Sequence, residues 1–255
     1  MVLALGGLTI SGASPGFSPL SLFTGAQGWY FDPSDLSTVF QDSAGTTPGA
    51  VGQPVGLIRD KSGNGNHATQ STAASRPILR QSGSLYYLEF DGVDDFLATS
   101  AINLTASDEM SVFAGLRKLS DAATQVAIEN TTGSGSFRIY VPSGGSNWTY
   151  GSGGTTGVDN TASGYAAPAT SVISGLTKIS TPSSILRVDA VQKSTSPTSM
   201  GTGNFGNFAL YIGRRSGTTL PFSGYMFASV GINRVVSAAE LGQTEAWVNS
   251  KTAAY

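Results

Sequence analysis

From Trp29 onward, apolar and polar residues alternate in short runs, and Gly, Ser, Asn and Pro gather between the runs. A period of two places every second side chain on one face of a strand, so these runs read as half-buried β-strands joined by turns. Over residues 85–90, Tyr86, Leu88 and Phe90 share a face. Over 185–191, Leu186, Val188 and Ala190 lie on one side, with Arg187 and Asp189 on the other. Met226, Ala228, Val230 and Ile232 line one side of a further strand. Residues 111–116, 124–129, 136–141 and 208–213 have the same pattern. About a dozen such strands suffice for two packed antiparallel sheets.

One stretch departs from this period. Ser237-Ala238-Ala239-Glu240 forms a capping box, in which the serine hydroxyl accepts the third helical N–H and Glu240 reaches back. Leu241 and Val248, seven apart, then share a face against the sandwich. The predicted fold is an all-β antiparallel sandwich with one short C-terminal helix. Residues 142–168 are richest in Gly, Ser and Thr and read as long loops or a hairpin, not as a domain boundary.

Residues 1–28 stand apart because they carry no charged side chain, and the first basic residue is Arg59. A cleaved secretory signal needs a positive start and an unbroken apolar run. Here Met1-Val2-Leu3-Ala4-Leu5 is interrupted by Gly6-Gly7, and Pro15 and Pro19 follow. The expectation is an extended attachment arm over 1–28 ahead of a single sandwich domain at 29–255. Leu3, Leu5, Leu8, Ile10, Phe17, Leu20, Leu22 and Phe23 are its docking side chains. The competing reading folds the arm back over its own sandwich.

Composition narrows the classes of function. Charged residues make up 12% of the 255, with 14 Lys+Arg against 16 Asp+Glu. This balance argues against a nucleic-acid partner, which calls for clustered Lys/Arg. The apolar runs fall far short of a membrane span, so no membrane insertion is expected. There is no cysteine and a single histidine, His67, which removes thiolate metal sites and weakens any catalytic triad. His67 sits in a turn-rich segment without a G-x-S-x-G elbow, and a turn role is expected for it.

Three sets of residues remain as candidate chemistry. Glu89-Phe90-Asp91-Gly92-Val93-Asp94 approximates the E-x-D-x-x-E signature of laminarinase-type glucanases, with Asp94 in place of the final Glu. A glycosidase is therefore the alternative function, since such enzymes pair two carboxylates across the scissile bond. Asp91, Asp94 and Asp95 would also suit calcium, which prefers several carboxylate oxygens. Against that, Asp91-Gly92 is a tight-turn pair, and Asp91 is expected to satisfy backbone donors without a required ion. Trp148 and Tyr150 share a face at strand spacing between Gly-rich loops, with Tyr165 nearby. They are the candidate glycan platform, because aromatic rings pack on sugar faces. The competing reading places both rings in the core of a hairpin.

Asp60-Lys61-Ser62-Gly63-Asn64-Gly65-Asn66-His67-Ala68-Thr69 resembles a signature of bacterial and phage LamG-like jelly rolls, in the concanavalin A-like lectin/glucanase superfamily. Leu88-Glu89-Phe90-Asp91-Gly92-Val93-Asp94-Asp95-Phe96 is similar to that family's F-D-G-x-D-D-aromatic turn. Phe222-Ser223-Gly224 and the stretch from Asn233-Arg234 to Glu240-Leu241 are similar to its closing motif. The segment from Trp29 to Pro48, followed by Val51-Gly52-Gln53-Pro54-Val55-Gly56, resembles the opening of LamG-type modules in tailed-bacteriophage virion proteins. The resemblance implies a jelly roll serving as a virion structural protein, of the capsid decoration, head fibre or tail fibre type. It implies assembly in the bacterial cytoplasm and display on the particle surface. A homo-oligomer held to other virion proteins through the arm, with host-surface polysaccharide as a ligand, is the accompanying expectation. No catalytic residues carry over.

Overall fold

The computed structural model describes residues 16–130 and 133–255. The strands begin with β1 (Gly28–Phe31), β2 (Val39–Phe40), β3 (Leu57–Ile58) and β4 (Ala68–Thr69). Next come β5 (Ile78–Ser82), β6 (Leu85–Asp91), β7 (Leu97–Asn103), β8 (Glu109–Lys118) and β9 (Gln125–Glu129). After these follow β10 (Ser136–Val141), β11 (Asn147–Gly153), β12 (Gly157–Ser163) and β13 (Ala169–Lys178). The last are β14 (Ser183–Val188), β15 (Val191–Ser196), β16 (Asn207–Ile212) and β17 (Ser223–Ile232), and a helix α1 (Ala238–Thr252) closes the chain.

Two antiparallel sheets face each other. One runs β15-β14-β13-β8-β17-β6-β5, with β1 also paired to β17; the other runs β12-β11-β10-β9-β16-β7-β4-β3-β2. Between them lies a core containing Trp29, Phe31, Phe90, Phe137, Trp148, Tyr150 and Phe205. Trp29 stacks on Phe137 across the sandwich at 5.5 Å, and its indole N–H donates to Ser229 Oγ at 2.9 Å. That bond satisfies a donor that burial removes from water.

A second apolar layer covers the outer face of the first sheet. Val248 of α1, with Leu241 and Trp247 partly buried beside it, packs on Phe113, Val172, Leu176 and Val230. Trp247 meets Tyr30 edge-on at 5.2 Å. The capping box forms as its sequence requires. Ser237 Oγ accepts the Glu240 N–H, and the Glu240 carboxylate accepts the Ser237 N–H at 2.8 Å. Arg234 also binds Glu240 and holds its carboxyl down at about 2. Among the described residues no helix is long and apolar enough to cross a membrane.

The expected arm divides differently from the predicted boundary at residue 28. Leu3, Leu5, Leu8 and Ile10 lie outside the described residues. Leu22 and Phe23, in a 3-10 turn over Pro19–Phe23, are buried in the layer beneath α1, with Phe17 packed against it. Leu20 alone of the four described arm side chains is well exposed, at 53%. From Phe17 onward the segment therefore belongs to the sandwich, because its apolar side chains find cover on their own domain.

Two strand expectations also change. The run 185–191 is a hairpin, not one strand. Asp189 and Ala190 form its two-residue turn at φ 52° and 58°, the left-handed pair whose twist matches the flanking strands. In β17 the register shifts between Met226 and Ala228. Met226 consequently joins the inter-sheet core while Val230 and Ile232 join the layer under α1. An extra residue in a strand reverses which face follows, and alternation alone does not show it.

Candidate functional site

The three signature motifs turn out to hold the chain together. The buried Asp60 carboxylate accepts backbone N–H groups from Tyr30, Ser62 and Asn66, and His67 Nδ1 accepts the Asp60 N–H at 3.0 Å. Asn66 and Asn64 donate their side-chain amides to the Gly28 carbonyl, at 2.7 and 3.3 Å. The segment thus staples β1 at its first residue, and His67 has the expected turn role. Asn233 holds the same end of β1, exchanging hydrogen bonds with Gln27 just before it.

Asp91, Asp94 and Asp95 sit where the chain crosses from β6 in one sheet to β7 in the other. Their carboxylate oxygens lie within 4.8 Å of one another. Each already has a protein donor. Asp91 Oδ1 accepts the Val93 and Asp94 N–H groups, Asp94 accepts Ser75 Oγ at 2.6 Å, and Asp95 accepts the Asp91 N–H. Gly92 makes the turn at φ 78°, a conformation that disfavours a Cβ. Burial raises the Asp95 carboxyl to about 6, with the negative charges of Asp91, Asp94 and Glu89 pushing the same way. Glu89, the partner of Asp91 in the glycosidase reading, is engaged by Arg80 at 2.5 Å.

The candidate platform of Trp148, Tyr150 and Tyr165 is not a surface feature. Trp148 and Tyr150 are 0% exposed and point into the inter-sheet core. Tyr150 Oη lies 2.9 Å from Thr177 Oγ1, and burial raises its phenol to about 12. Gly175 on the facing sheet makes the room: a Cβ there would lie 2.3 Å from the Tyr150 ring. Tyr165 is half-buried against the same core, with Lys193 Nζ 5.9 Å from its ring centroid. The aromatic rings of this hairpin are packing residues, because the sandwich interior claims one whole face of β11.

The opposite face of the same hairpin forms the site. Register places Arg138 of β10 beside Gly151 of β11, and Gly151 beside Asp159 of β12. All three face outward, since Phe137, Ile139 and Tyr150 alternate inward. With no side chain between them, Arg138 reaches over Gly151, and its Nη2 donates to both Asp159 oxygens at 3.0 Å. A Cβ on Gly151 would lie 2.3 Å from Asp159 Oδ1 and 2.8 Å from Arg138 Nε. Tyr140 donates its hydroxyl to Asp159 at 3.0 Å, and the Arg138 guanidinium lies 4.9 Å from its ring centroid. Burial, then Asp159, raises the Tyr140 phenol and keeps it a donor.

Beside this cluster is a trough of about 320 Å³, floored by Gly151, Gly154 and Gly157 and flanked by Ser134, Ser136 and Thr155. The row continues inward through Glu129, which is fully buried and held by Arg215 at 3.3 Å and by the Ser216 N–H at 2.9 Å. Arg138 Nε is buried without an acceptor. A shallow trough that presents fixed donors and acceptors beside a planar guanidinium suits a polyhydroxylated ligand. The polar residues at 136, 138 and 140 are visible in the sequence as an alternation. Their convergence over Gly151 depends on cross-strand register, which joins residues 13 and 21 positions away from Arg138.

The class this architecture defines is the two-sheet jelly-roll β-sandwich with a single C-terminal helix. No family model matches the chain, and no curated protein matches it by sequence. Solved structures similar to it include the receptor-binding domain of botulinum neurotoxin type G, with a TM-score of 0.57 at 9% identity over 74% of this chain and 48% of that one. A second is a type C neurotoxin structure, whose cell entry is described as dependent on interaction with two ganglioside molecules. Its TM-score is 0.61 at 8% identity over 91% of this chain and 53% of that one. A third is the binding domain of botulinum neurotoxin DC in complex with SialylT, with a TM-score of 0.57 at 11% identity over 86% and 52%. The chain spans about half the length of these proteins, and the likeness is one of fold.

Proposed function

We propose that this chain is a lectin-like binding module of a bacteriophage particle, which holds host-surface polysaccharide in the trough over β10, β11 and β12. The observation that carries the reading is the Arg138–Asp159–Tyr140 cluster converging over Gly151 on a sheet face that no described residue covers. The similar solved structures are binding domains and not catalytic ones, which supports a binding role. Attachment to other virion proteins is assigned to the residues before Gly16, where Leu3, Leu5, Leu8 and Ile10 lie. Copies repeated on a symmetric particle, as a homo-oligomer or an array, would let weak sites act together.

A glycan array on the purified chain, repeated with Arg138→Ala and Asp159→Asn, tests the binding reading. Wild type is expected to retain one class of polysaccharide and both variants to lose it at unchanged melting temperature. Equal retention by the variants would remove the trough from the account. Labelling the chain on particles imaged by electron microscopy tests the virion reading separately.

A further inference from the structure

The outer face of the first sheet carries a second row in register, Glu89–Tyr225–Arg117–Thr170, across β6, β17, β8 and β13. It emerges beyond the C-terminal end of α1. Tyr87 stacks on Tyr225 with centroids 4.4 Å apart and planes at 27°, and Phe227 lies 5.1 Å from Tyr87. Tyr87, Tyr225, Phe227, Arg117 and Thr252 line a cavity of about 200 Å³.

The two cations of this patch differ. Arg80 is neutralised by Glu89. Arg117 sits with its guanidinium carbon 5.9 Å from the Tyr225 ring centroid, and its Nε is fully buried without an acceptor. Among the described residues no carboxylate or carbonyl accepts from its guanidinium. The terminal nitrogens of Arg117 are not sealed off as Nε is, and an anion in the cavity that paired with them would offset the cost of a guanidinium left without an acceptor. Glu89 is committed to Arg80, so the cavity keeps one uncompensated positive charge beside an aromatic wall.

We propose that this cavity binds the carboxylate of an acidic pyranose of the uronic-acid class, with Arg117 as the carboxylate ligand and the Tyr87–Tyr225 pair against the apolar face of the ring. The carboxylate follows from the unpaired guanidinium, since a fork of N–H donors matches two carboxylate oxygens. A ring with an apolar face follows from the tyrosines, which would contribute little to a small hydrated anion. The choice of a sugar rests on the lectin-like reading; the site itself is on the opposite sheet from the trough and shares no residue with it.

Titrating the isotope-labelled full chain with glucuronate, glucose and acetate, followed by amide NMR, tests the proposal. Glucuronate is expected to shift the amides of Tyr87, Arg117 and Tyr225, and glucose to leave them in place. Acetate is expected to bind roughly tenfold or more weakly, because it lacks the ring. Arg117→Gln should weaken glucuronate binding by about tenfold or more, with Arg117→Lys intermediate because it keeps the charge but loses the fork. Unchanged shifts elsewhere in each variant show that the fold is kept. Arg138→Ala, which tests the trough, should leave this titration unaltered. Acetate binding as tightly as glucuronate would reduce the site to a simple anion hole. Shifts absent at all three residues, or untouched by Arg117→Gln, would overturn it.

Discussion

The outer faces of the two sheets are finished in opposite ways. Over β13, β8 and β17 the first sheet is roofed by α1 and the 3-10 turn at Pro19–Phe23, and its outward positions there are Phe113, Val172, Leu176 and Val230; past the end of α1 the roof gives way to the open row of Tyr87, Arg117 and Tyr225. Among the described residues nothing of this kind covers β10–β12 of the second sheet, and its outward positions are Ser136, Arg138, Gly151, Gly157 and Asp159. Both sheets present the same apolar inner face to the shared core. The difference shows that a sandwich needs one apolar face per sheet to fold, and what the other face carries decides its use. A covered face stabilises; the face of paired charges and glycines over β10–β12 is where the proposed ligand site lies.

Truncation gives the largest test of this contrast. Deleting residues 1–15 is expected to leave the melting temperature nearly unchanged while abolishing incorporation into particles. Deleting 1–25 uncovers the roofed face by removing Leu22 and Phe23, each worth about 1.5–3 kcal/mol when buried. Set against the ordering entropy regained, the net loss is on the order of a few kcal/mol, readable in a denaturant titration. Equal stability of the two truncations would show that the roof does not depend on the segment.

A pair of glycine substitutions sharpens the inner-versus-outer distinction. Gly175→Ala drives a methyl into the Tyr150 ring, which has no room to move, and should cost about 1–3 kcal/mol. Gly151→Ala meets Asp159 Oδ1 and the Nε and Cγ of Arg138, on long surface side chains that can swing into solvent. It should melt within about 0.5 kcal/mol of wild type but lose glycan retention. The reverse pattern would place the trough in the core and the Tyr150 side at the surface.

Ser237→Ala removes the hydroxyl that caps α1 and should cost about 0.5–2 kcal/mol, loosening the roof without touching the trough. An unchanged melting temperature would mean that Arg234 and Glu240 hold the helix end unaided.

A pH-dependent effect belongs to the turn that joins the two sheets. Asp95 titrates near 6 in the fold against an ordinary 3.8, so folding favours its protonated form. Its contribution is full below about pH 4 and is lost as the pH rises through about 6, leaving the fold less stable above. Asp95→Asn should flatten that part of the pH profile. Chelation should leave the melting temperature unchanged at neutral pH. A drop reversed by added calcium in a concentration-dependent way would transfer the cluster to a metal role.

The resemblance motifs illustrate why the fold was easier to read than the site. Asp60 to His67, Asp91 to Asp95 and Asn233 to Glu240 combine turn and cap bonds between near neighbours with staples to Tyr30, Gly28, Ser75 and Gln27. The local half of that chemistry is written legibly in the sequence; the staples are not. The trough has no motif: the rings of Trp148 and Tyr150 are conspicuous in the sequence but buried, whereas the glycine between Arg138 and Asp159 matters only through cross-strand register.

By itself, the sequence determined the strand-and-turn pattern, the two-sheet class, the capped helix at Ser237 and the turn roles of His67 and Asp91. Each depends on residues a few positions apart, whose periodicity or hydrogen bonding is fixed by backbone geometry. The tertiary structure decided that Trp148 and Tyr150 face inward, that β17 changes face at Phe227, and that Leu22 and Phe23 roof their own domain. It also brought Arg138 to Asp159 across Gly151 and left Arg117 without a carboxylate. All of these turn on which face of a strand the core claims and on which residues of distant strands come into register, and neither is set by any one segment alone.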